Sequence, residues 1–507
     1  MLFALVLSIL FSLTIGIVAA RNKKAEAIII PLLDVFQSIP ILGFFPIVIL
    51  GIVNVIPGQI GISLAVILLI FTSMSWNIAF GVYEAVKSIP QDYIDLSNIS
   101  QSSTWHRITT LYIPASLSRI AYNTQTSWAV GLFYLVSSEI FSLGAKNEQV
   151  NYGIGVAIIT FANNGQWLYY AYAILALIIA VVIWQFVFLR EFSLWSERYK
   201  FVEEPREVHK DPIMKFYSWV NHRSISKLFL YTHGRGVTRF SSSFNLLKRG
   251  WKYAVVILVA IFVILEFSAI MSIPSAIEHA PTASLLISDE KNALIGLLFS
   301  FARVWYVYFI CVAVALPLGI SIALNNKAYD TASPVLEVIA SVPAPVLLPV
   351  LVTALHENGE AVAAIIIFLG MIWYIIFNVM AGVRSLPAEL FELKKEFKIS
   401  SVQAWRNIYL PATFTAFVTG SITAVGAAWN TLIVAEYFQP NPAEPPITQV
   451  KYGIGKVIAV ATNAGPHGDL VTLTLAVLSM TVLIVAFNLT VWRRVYHYTT
   501  KKYVYNR

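Results

Sequence analysis

The chain of 507 residues contains the same sequence pattern twice, about 300 residues apart. The segment Pro-Leu-Leu-Asp-Val-Phe-Gln-Ser-Ile-Pro at 31–40 returns as Pro-Val-Leu-Glu-Val-Ile-Ala-Ser-Val-Pro at 334–343. Further segments return in the same way, among them 111–115 at 408–412 and 152–155 at 452–455. A repeat of this length is much longer than the unit of a solenoid protein. It predicts two domain-sized halves that share one fold.

The composition places both halves in a membrane. Hydrophobic residues make up 58% of the chain and charged residues 12%, a balance outside the usual range of soluble domains. Between Ala27 and Tyr83 the only charged side chain is Asp34, which leaves enough apolar chain for two crossings of about 20 residues each. These runs are long and continuous, which favours helices over the alternating strands of a barrel. The sequence therefore predicts an all-α polytopic membrane protein.

Continuous apolar runs predict about eleven transmembrane helices. In the first half they cover residues 1–20, 32–56, 60–84, 116–140 and 167–190. In the second half they cover residues 252–273, 293–324, 335–355, 360–381, 413–437 and 469–491. Each half thus has a core of five helices, and the helix at 252–273 has no counterpart in the first half.

The unmatched helix gives the two halves the same orientation. A five-helix core begins on one side of the membrane and ends on the other, so two cores joined directly would be inverted relative to each other, and one added crossing corrects this. With the N-terminus outside, every cluster of Lys and Arg and the C-terminus fall on the cytoplasmic side.

The predicted domains are a first permease domain at 1–197, a basic cytoplasmic linker at 198–250, and a second permease domain at 251–507. We interpret the basic linker as lying beside anionic lipid, and nucleic-acid binding is the less favoured alternative.

Two polar loops, 87–115 and 382–411, carry the most specific pattern in the chain. The pattern residues of the first loop are Asp95, Leu96, Ser97, Gln101, Leu111, Ile113 and Pro114. Those of the second loop are Glu392, Leu393, Lys394, Lys398, Ile408, Leu410 and Pro411. Their spacing resembles the EAA loop, Glu-Ala-Ala-x3-Gly-x9-Ile-x-Leu-Pro, of the membrane subunits of binding-protein-dependent ABC importers. Gln101 and Lys398 replace the glycine of that motif, and the alanine pair is absent.

The resemblance is strongest to the nitrate, sulfonate and taurine type permeases, through segments 33–46, 336–349, 381–385 and 432–436. It implies a plasma-membrane permease whose two loops each dock on an ATP-binding cassette subunit, with an extracellular solute-binding protein delivering a small solute such as a sulfonate, nitrate or a related small anion. It covers both halves but not the linker. Residues 1–20 match only the later part of 293–324, so we expect either that the first half lacks the opening helix of the family or that the native start lies upstream of Met1.

The residues of the second loop support a docking role by themselves. Leu390, Leu393 and Phe397 are spaced i, i+3, i+7, which places them in one apolar stripe on a short helix. An apolar stripe exposed to the cytosol requires a groove on a partner. The alternative is that the stripe lies on the membrane surface or packs against the chain's own helices.

The sequence contains no pattern for catalysis or cofactor binding. Gly453-Ile-Gly-Lys456 lacks the first glycine and the hydroxyl residue of a nucleotide-binding loop, so we expect a partner to supply ATP hydrolysis. The lone Cys311 excludes an intramolecular disulfide. We interpret His106, His356 and His467 as solvated loop residues and expect no metal site, no cofactor and no enzymatic activity of this chain.

Polar residues within the apolar spans predict the lining of a translocation path, because polar groups tend to turn away from lipid. The candidates are Trp76, Asn77, Asn123, Gln125 and Glu139 in the first half, and Trp373, Tyr374, Trp429, Asn430 and Glu436 in the second. For the tryptophans the alternative is helix packing, and for the two glutamates it is a solvated helix end. Aligned positions differ, as Asn77 and Tyr374 do, which indicates an unsymmetrical lining suited to a small asymmetric solute.

Together these features predict a permease that works by alternating access, driven by separate ATPase subunits. The first alternative is a secondary carrier driven by an ion gradient, which requires acids or bases near the middle of the membrane. The second alternative is a membrane scaffold without transport activity.

Overall fold

The computed structural model describes residues 1–38, 40–140, 152–196, 199, 283–355, 358–386, 390, 396–438, 448–464 and 469–503. The predicted helix at 252–273, and the predicted linker except for Tyr199, lie outside these residues.

The first half is built from helices. They are α1 Leu2–Arg21, α2 Lys23–Ser38, α3 Ile41–Val55, α4 Gln59–Lys87, α5 Gln91–Ile99, α6 Thr104–Arg107, α7 Ile113–Ile140, α8 Ile154–Asn163, α9 Trp167–Ile183 and α10 Arg190–Ser196. Two π-helical turns, Ile108–Tyr112 and Trp184–Leu189, precede α7 and follow α9. Such turns are rare and occur mostly as single bulges within helices.

The second half repeats this order. Its helices are α11 Ala283–Leu324, α12 Asn326–Ala340, α13 Leu348–Ala354, α14 Gly359–Arg384, α15 Ser401–Ala404, α16 Leu410–Ala435, α17 Ile454–Thr462, α18 Leu470–Phe487 and α19 Arg493–Tyr503. The π-helical turns Trp405–Tyr409 and Asn488–Trp492 stand at the equivalent places before α16 and after α18. Two short antiparallel strands, β1 Tyr437–Phe438 and β2 Thr448–Gln449, follow α16. The predicted duplication is therefore present in the secondary structure.

The predicted class, an all-α polytopic membrane protein, is confirmed. Within the described part of the chain, seven helices are long and apolar enough to cross a membrane, or up to eight if one bent pair counts as a single span. Apart from 252–273, every predicted span coincides with helical segments.

Two predicted spans are wrong as continuous helices. The segment 32–56 is divided into α2 and α3 at Pro40, and 335–355 is divided at Pro343, where the chain bends by 75°. A short 3-10 turn, Ala344–Leu347, leads from that bend into α13. Proline has no N–H to donate and disfavours helical geometry in the residue before it, so each break falls at a proline. We call α2 and α12 the elbow helices, and α3 and residues 344–354 the crossed segments.

In each half, one long helix lies between two others. Helix α4 packs between α1 and α7, and α14 packs between α11 and α16. A Cβ atom on Gly16 would lie 2.7 Å from a Val82 methyl, and one on Gly319 would lie 3.1 Å from a Val379 methyl. These glycines occupy equivalent places, where small residues let the helix backbones approach closely.

The lone cysteine is part of this packing. Ser8 on α1 donates to the backbone carbonyl of Phe71 at 3.1 Å, and Cys311 on α11 donates to the equivalent carbonyl, that of Phe368, at 3.7 Å. Cys311 is fully buried. The thiol therefore takes the place that a serine hydroxyl takes in the first half.

The crossed segments join the two halves reciprocally. Segment α3 packs against α16 and α18, and residues 344–354 pack against α7 and α8. The N–H of Leu42 donates to Oδ1 of Asn430 at 3.3 Å, and the hydroxyl of Tyr170 donates to the carbonyl of Val346 at 2.8 Å. Asn430 and Tyr170 both lie near the end of their half that is remote from its polar loop. Each elbow helix starts beside the helix end that opens its own loop, at Lys87 or Arg384, so Leu42 and Val346 lie one helix length away from that loop. Because both then bond to the loop-remote end of the other half, both polar loops lie on one side, which we call the loop face, opposite the far face.

Candidate functional site

The first polar loop begins with a short helix that ends in a defined backbone motif. At the end of α5, the N–H of Ser102 donates to the carbonyl of Ser97 at 3.3 Å, and the N–H of Gln101 donates to the carbonyl of Asn98 at 3.0 Å. This pair of bonds is a Schellman motif, which requires a left-handed residue just past the helix, usually glycine. Here the left-handed residue is Gln101, with φ of 47°.

The second polar loop has the same backbone at the equivalent place. Lys398 also has φ of 47°, and these are the only two non-glycine residues with positive φ in the described part of the chain. After each of them a serine caps the next helix: Ser103 accepts from the N–H of His106, and Ser400 forms a capping box with Gln403. The glycine position of the EAA pattern therefore needs a left-handed backbone, which this chain adopts at Gln101 and Lys398 without glycine.

The predicted docking residues divide into an exposed group and a packed group. In α5, Asp95 is exposed, Leu96 is 64% exposed, and Ser97 is half-buried. Ile99 and Tyr93, three residues to either side of Leu96, are also exposed. The aliphatic residues that end the loops are half-buried and pack against the hydrophobic core, namely Leu111, Ile113, Ile408 and Leu410. Pro114 and Pro411 are half-buried at the start of α7 and α16.

The second loop is described at 382–386, at Leu390 and from Glu396 onward. Glu392, Leu393 and Lys394 lie outside the described residues. Of the predicted apolar stripe, Leu390 is half-buried and Phe397 is exposed. Val402, on α15, is 79% exposed. Both loops therefore present apolar side chains to the surroundings on the loop face.

A polar cluster connects α4 and α7 in the first half. The Asn77 side chain donates to the hydroxyls of Thr126 at 2.8 Å and Ser127 at 3.1 Å. The Asn123 side chain donates to the backbone carbonyl of Asn77 at 3.0 Å. Gln125 is half-buried on the same helix. The structure thus brings together two of the predicted path residues, Asn77 and Asn123.

In the second half, the equivalent carbonyl accepts from a side chain on its own helix. Tyr374 stands at the place of Asn77, and its carbonyl accepts from the side chain of Asn378 at 2.8 Å. Asn378 is equivalent to Gly81, and Gly420 is equivalent to Asn123, each by an offset of 297 residues. The asparagine and the glycine have exchanged helices between the halves.

The tryptophans of the predicted path are mostly packing residues. Trp76 and Trp429 are buried, at 7% and 4% exposure. Trp76 packs edge-on against Phe11, and Trp429 lies against Phe301. Trp373 is half-buried and packs against the core. These contacts are those expected of helix packing, the alternative for these residues, and a place for Trp76 and Trp429 in a translocation path stays a prediction.

The two aligned glutamates hold the Gly-x-Gly segments that begin α8 and α17. The N–H of Gly155 donates to the Glu139 carboxylate at 2.6 Å, and that of Gly455 donates to the Glu436 carboxylate at 2.7 Å. A Cβ atom on Gly153 or Gly453 would come within 2.3 Å of the same carboxylates. Glycine is needed there because the glutamate approaches so closely.

Glu436 is also the centre of a buried polar network. Its carboxylate accepts from the hydroxyl of Ser300 at 2.5 Å and pairs with Arg303, which in turn pairs with Glu360 at 2.8 Å. Glu436 is fully buried and Arg303 is 3% exposed. Because Glu436 is fully buried, the alternative of a solvated helix end is wrong for this residue. Glu139 is half-buried.

Sequence reasoning missed Arg303, Ser300 and Glu360 as partners of Glu436. A signal was available for Arg303, because it is the only charged residue within the apolar run 293–324 and a charge in such a run requires a partner. Within the described ranges, no group of three or more histidine, cysteine or acidic side chains is arranged to hold a metal ion.

The family model of the binding-protein-dependent transport system inner membrane component matches the chain twice, over residues 12–192 and 315–495. The two matches are offset by 303 residues, which is also the offset of the proline-bounded segments. The chain belongs to this family. The resemblance inferred from the two polar loops is confirmed, and so is the presence of two permease domains in one chain.

Relatives of this permease include three transport proteins. The nitrate import permease protein NrtB of Synechocystis sp. is 29% identical over 147 residues, covering 29% of this chain and 53% of the relative. The bicarbonate transport system permease protein CmpB of the same organism is 28% identical over 150 residues, covering 29% and 52%. The taurine transport system permease protein TauC of Escherichia coli is 26% identical over 137 residues, covering 27% and 50%. The chain spans about half the length of the curated relatives it matches.

Proposed function

We propose that this chain supplies the two permease domains of an ABC importer in the plasma membrane. Each polar loop docks on one ATP-binding cassette subunit, and a loaded extracellular binding protein delivers the solute at the far face. The loop face and the C-terminus are cytoplasmic, and the N-terminus is outside. ATP binding by the two subunits draws the loops together and turns the space between the halves outward.

The observation that carries this proposal is the duplicated loop. Both loops combine a left-handed residue, a serine cap, a π-helical turn and a proline at equivalent places, and both expose apolar side chains beside polar ones. An apolar patch exposed on an otherwise polar segment indicates a protein partner. Two such loops on one face of one chain fit two partners of the same kind.

The docking is tested by co-purification of ATPase chains with the full chain. We expect Leu96→Asp to lower the amount of ATPase recovered by about half, because it places a charge in the centre of the desolvated contact of one of the two loops. Tyr152→Asp is the matched control, since Tyr152 is 90% exposed but lies on the far face. Equal recovery with Leu96→Asp and Tyr152→Asp would show that α5 is not the docking site.

The same experiment separates the alternatives. An ion-gradient carrier or a membrane scaffold co-purifies with no ATPase. A carrier without an ATPase would still move its solute across vesicles under a proton or sodium gradient, whereas a scaffold would not.

For the solute we propose a small oxyanion or sulfonate. The names of the relatives specify nitrate, bicarbonate and taurine, which are all small and polar. The polar cluster of Asn77, Thr126 and Ser127 supplies neutral hydrogen-bonding groups next to one another. Uptake of labelled nitrate, bicarbonate and taurine by vesicles that contain the chain, its ATPases and its binding protein tests this choice. Uptake of none of the three would contradict it.

A further inference from the structure

The elbow helix of the first half is fastened to the end of α4. Glu26, in the first turn of α2, accepts from the Lys87 ammonium at 2.8 and 2.7 Å and from the Tyr83 hydroxyl at 2.5 Å. The hydrogen bonds from Lys87 and Tyr83 lower the pKa of the Glu26 carboxyl, so this group is ionised at neutral pH. Lys87 ends α4, directly before the Ser-Ile-Pro that opens the first loop. We call Glu26, Tyr83 and Lys87 the first-half clamp.

The second half has a clamp at the same place with different chemistry. Arg384 ends α14, directly before the Ser-Leu-Pro that opens the second loop, and is equivalent to Lys87 by the offset of 297 residues. It donates to the side chain of Asn326, and its guanidinium lies 4.6 Å from the centre of the Tyr329 ring. Both partners stand in the first turns of α12. We call Asn326, Tyr329 and Arg384 the second-half clamp.

The other end of each elbow leads to the opposite half. Beyond the break at Pro40, Leu42 bonds to Asn430 on α16, and a Cβ atom on Gly43 would lie 2.6 Å from the Met480 methyl on α18. Beyond the break at Pro343, the carbonyl of Val346 is bonded to Tyr170 on α9. Each clamp thus fastens the base of one loop to a segment that is packed into the other half.

We propose that Lys87 and Arg384 are positioning residues that transmit the movement of each loop to the opposite half. This inference rests on the proposed function, since it takes the loops to be moved by ATPase subunits. When a loop moves, its clamp moves the elbow helix with it. The crossed segment that follows the elbow helix then displaces the helix it contacts in the other half, which is α16 for the first loop and α7 for the second. Packed helices move as bodies, so a short chain of such contacts carries a displacement across the molecule.

The ion pair of the first-half clamp is expected to contribute little to folding, which makes its role separable from stability. The Lys87 side chain is 47% exposed and that of Glu26 27% exposed, and ion pairs of this kind contribute little to folding. The exposed pair of Arg119 and Glu84, 4.0 Å apart, provides a matched control. It lies close to the same end of α4 but joins α4 to α7 within one half.

The test uses the full chain with its co-purified ATPases in vesicles, in a Cys311→Ser background. Reporter cysteines are placed at the equivalent positions Ala129 on α7 and Gly426 on α16, and a Cβ atom on Gly426 meets nothing within 4 Å. The rate of labelling by a membrane-impermeant maleimide is compared with and without Mg²⁺, ATP and orthovanadate. With intact clamps we expect nucleotide to change both rates by about five-fold or more.

The expected effects are crossed. Glu26→Gln abolishes the nucleotide-dependent change in labelling rate at Gly426→Cys, which lies in the opposite half. The change in labelling rate at Ala129→Cys remains. Arg384→Gln removes the effect at Ala129→Cys and leaves that at Gly426→Cys. Glu84→Gln leaves both. The reversed pair, Glu26→Lys with Lys87→Glu, restores the effect at Gly426→Cys to within about two-fold of the original, which shows that a loss in Glu26→Gln is not misfolding.

Other outcomes overturn the inference. A nucleotide effect that persists at Gly426→Cys in Glu26→Gln, or that is lost in the same half instead, rules out crossed transmission. Loss of ATPase co-purification in Glu26→Gln assigns the clamp to docking instead. If no ATPase co-purifies with the unaltered chain, or if nucleotide changes the labelling rate at neither reporter cysteine, the proposed function fails. The inference of crossed transmission then fails with it.

Discussion

At the scale of single residues, the left-handed backbone of Gln101 is an energetic cost that glycine would remove. A residue with a Cβ atom is destabilised by about 1–2 kcal/mol in this conformation. Glycine avoids this cost, but its larger conformational entropy in the unfolded chain offsets part of the stabilisation. We therefore expect Gln101→Gly to stabilise the chain by about 1 kcal/mol, observed as a raised thermal midpoint in detergent. Ser100→Gly is the control, because Ser100 has φ of −70° and gains nothing from glycine. A lowered midpoint in Gln101→Gly would contradict this account.

The exchanged asparagine and glycine give a second prediction at this scale. A Cβ atom on Gly81 would lie 1.8 Å from Nδ2 of Asn123, so Gly81→Asn overpacks the crossing of α4 and α7 and costs about 1–3 kcal/mol. Adding Asn123→Gly converts the crossing to the arrangement of the second half, where Asn378 bonds the Tyr374 carbonyl. We expect the double variant to recover most of the thermal stability. A double variant no more stable than Gly81→Asn would mean that the two crossings are not interchangeable.

These two cases also show how far the sequence predicts individual residues. The spacing of the loops placed Gln101 and Lys398 at the glycine position, but amino-acid identity gives no sign that a glutamine or lysine adopts positive φ there. The polar cluster around Asn77 was predicted because polar groups avoid lipid. The exchange of Gly81 with Asn378 becomes meaningful only when the two helices of each crossing are known to touch.

At the scale of elements, the glutamate at the end of α16 fastens α17 to the bundle. Removing it in Glu436→Ala leaves Arg303 buried without this partner, and breaking a buried pair in this way costs about 3–5 kcal/mol. Glu139→Ala removes a half-buried carboxylate bonded to Gly155, for which we expect a smaller loss of about 1–2 kcal/mol. Thermal midpoints of the two variants measure the difference. Equal losses would show that the network with Arg303 adds nothing to the fastening of α17.

The limits of prediction at this scale come from proline. Pro31 and Pro334 lie inside α2 and α12, whereas Pro40 and Pro343 break the chain, although the sequence marks all four alike. The breaks coincide with the places where the chain leaves its own half for the other, which is a tertiary feature. Long apolar runs such as 60–84 and 360–381 were predicted well because length and hydropathy suffice for a membrane helix.

At the scale of the whole molecule, equal orientation of the halves decides whether the two loops can act together. The reciprocal contacts of Leu42 with Asn430 and of Val346 with Tyr170 place the far ends of both halves side by side. In a Cys311→Ser background, we therefore expect Asp95→Cys and Lys398→Cys to react with an impermeant maleimide from the same side of sealed vesicles, the cytoplasmic one. Tyr152→Cys, on the far face, should react from the other side. Labelling of positions 95 and 398 from opposite sides would refute parallel halves, because then no pair of ATPase subunits in one compartment could reach both loops.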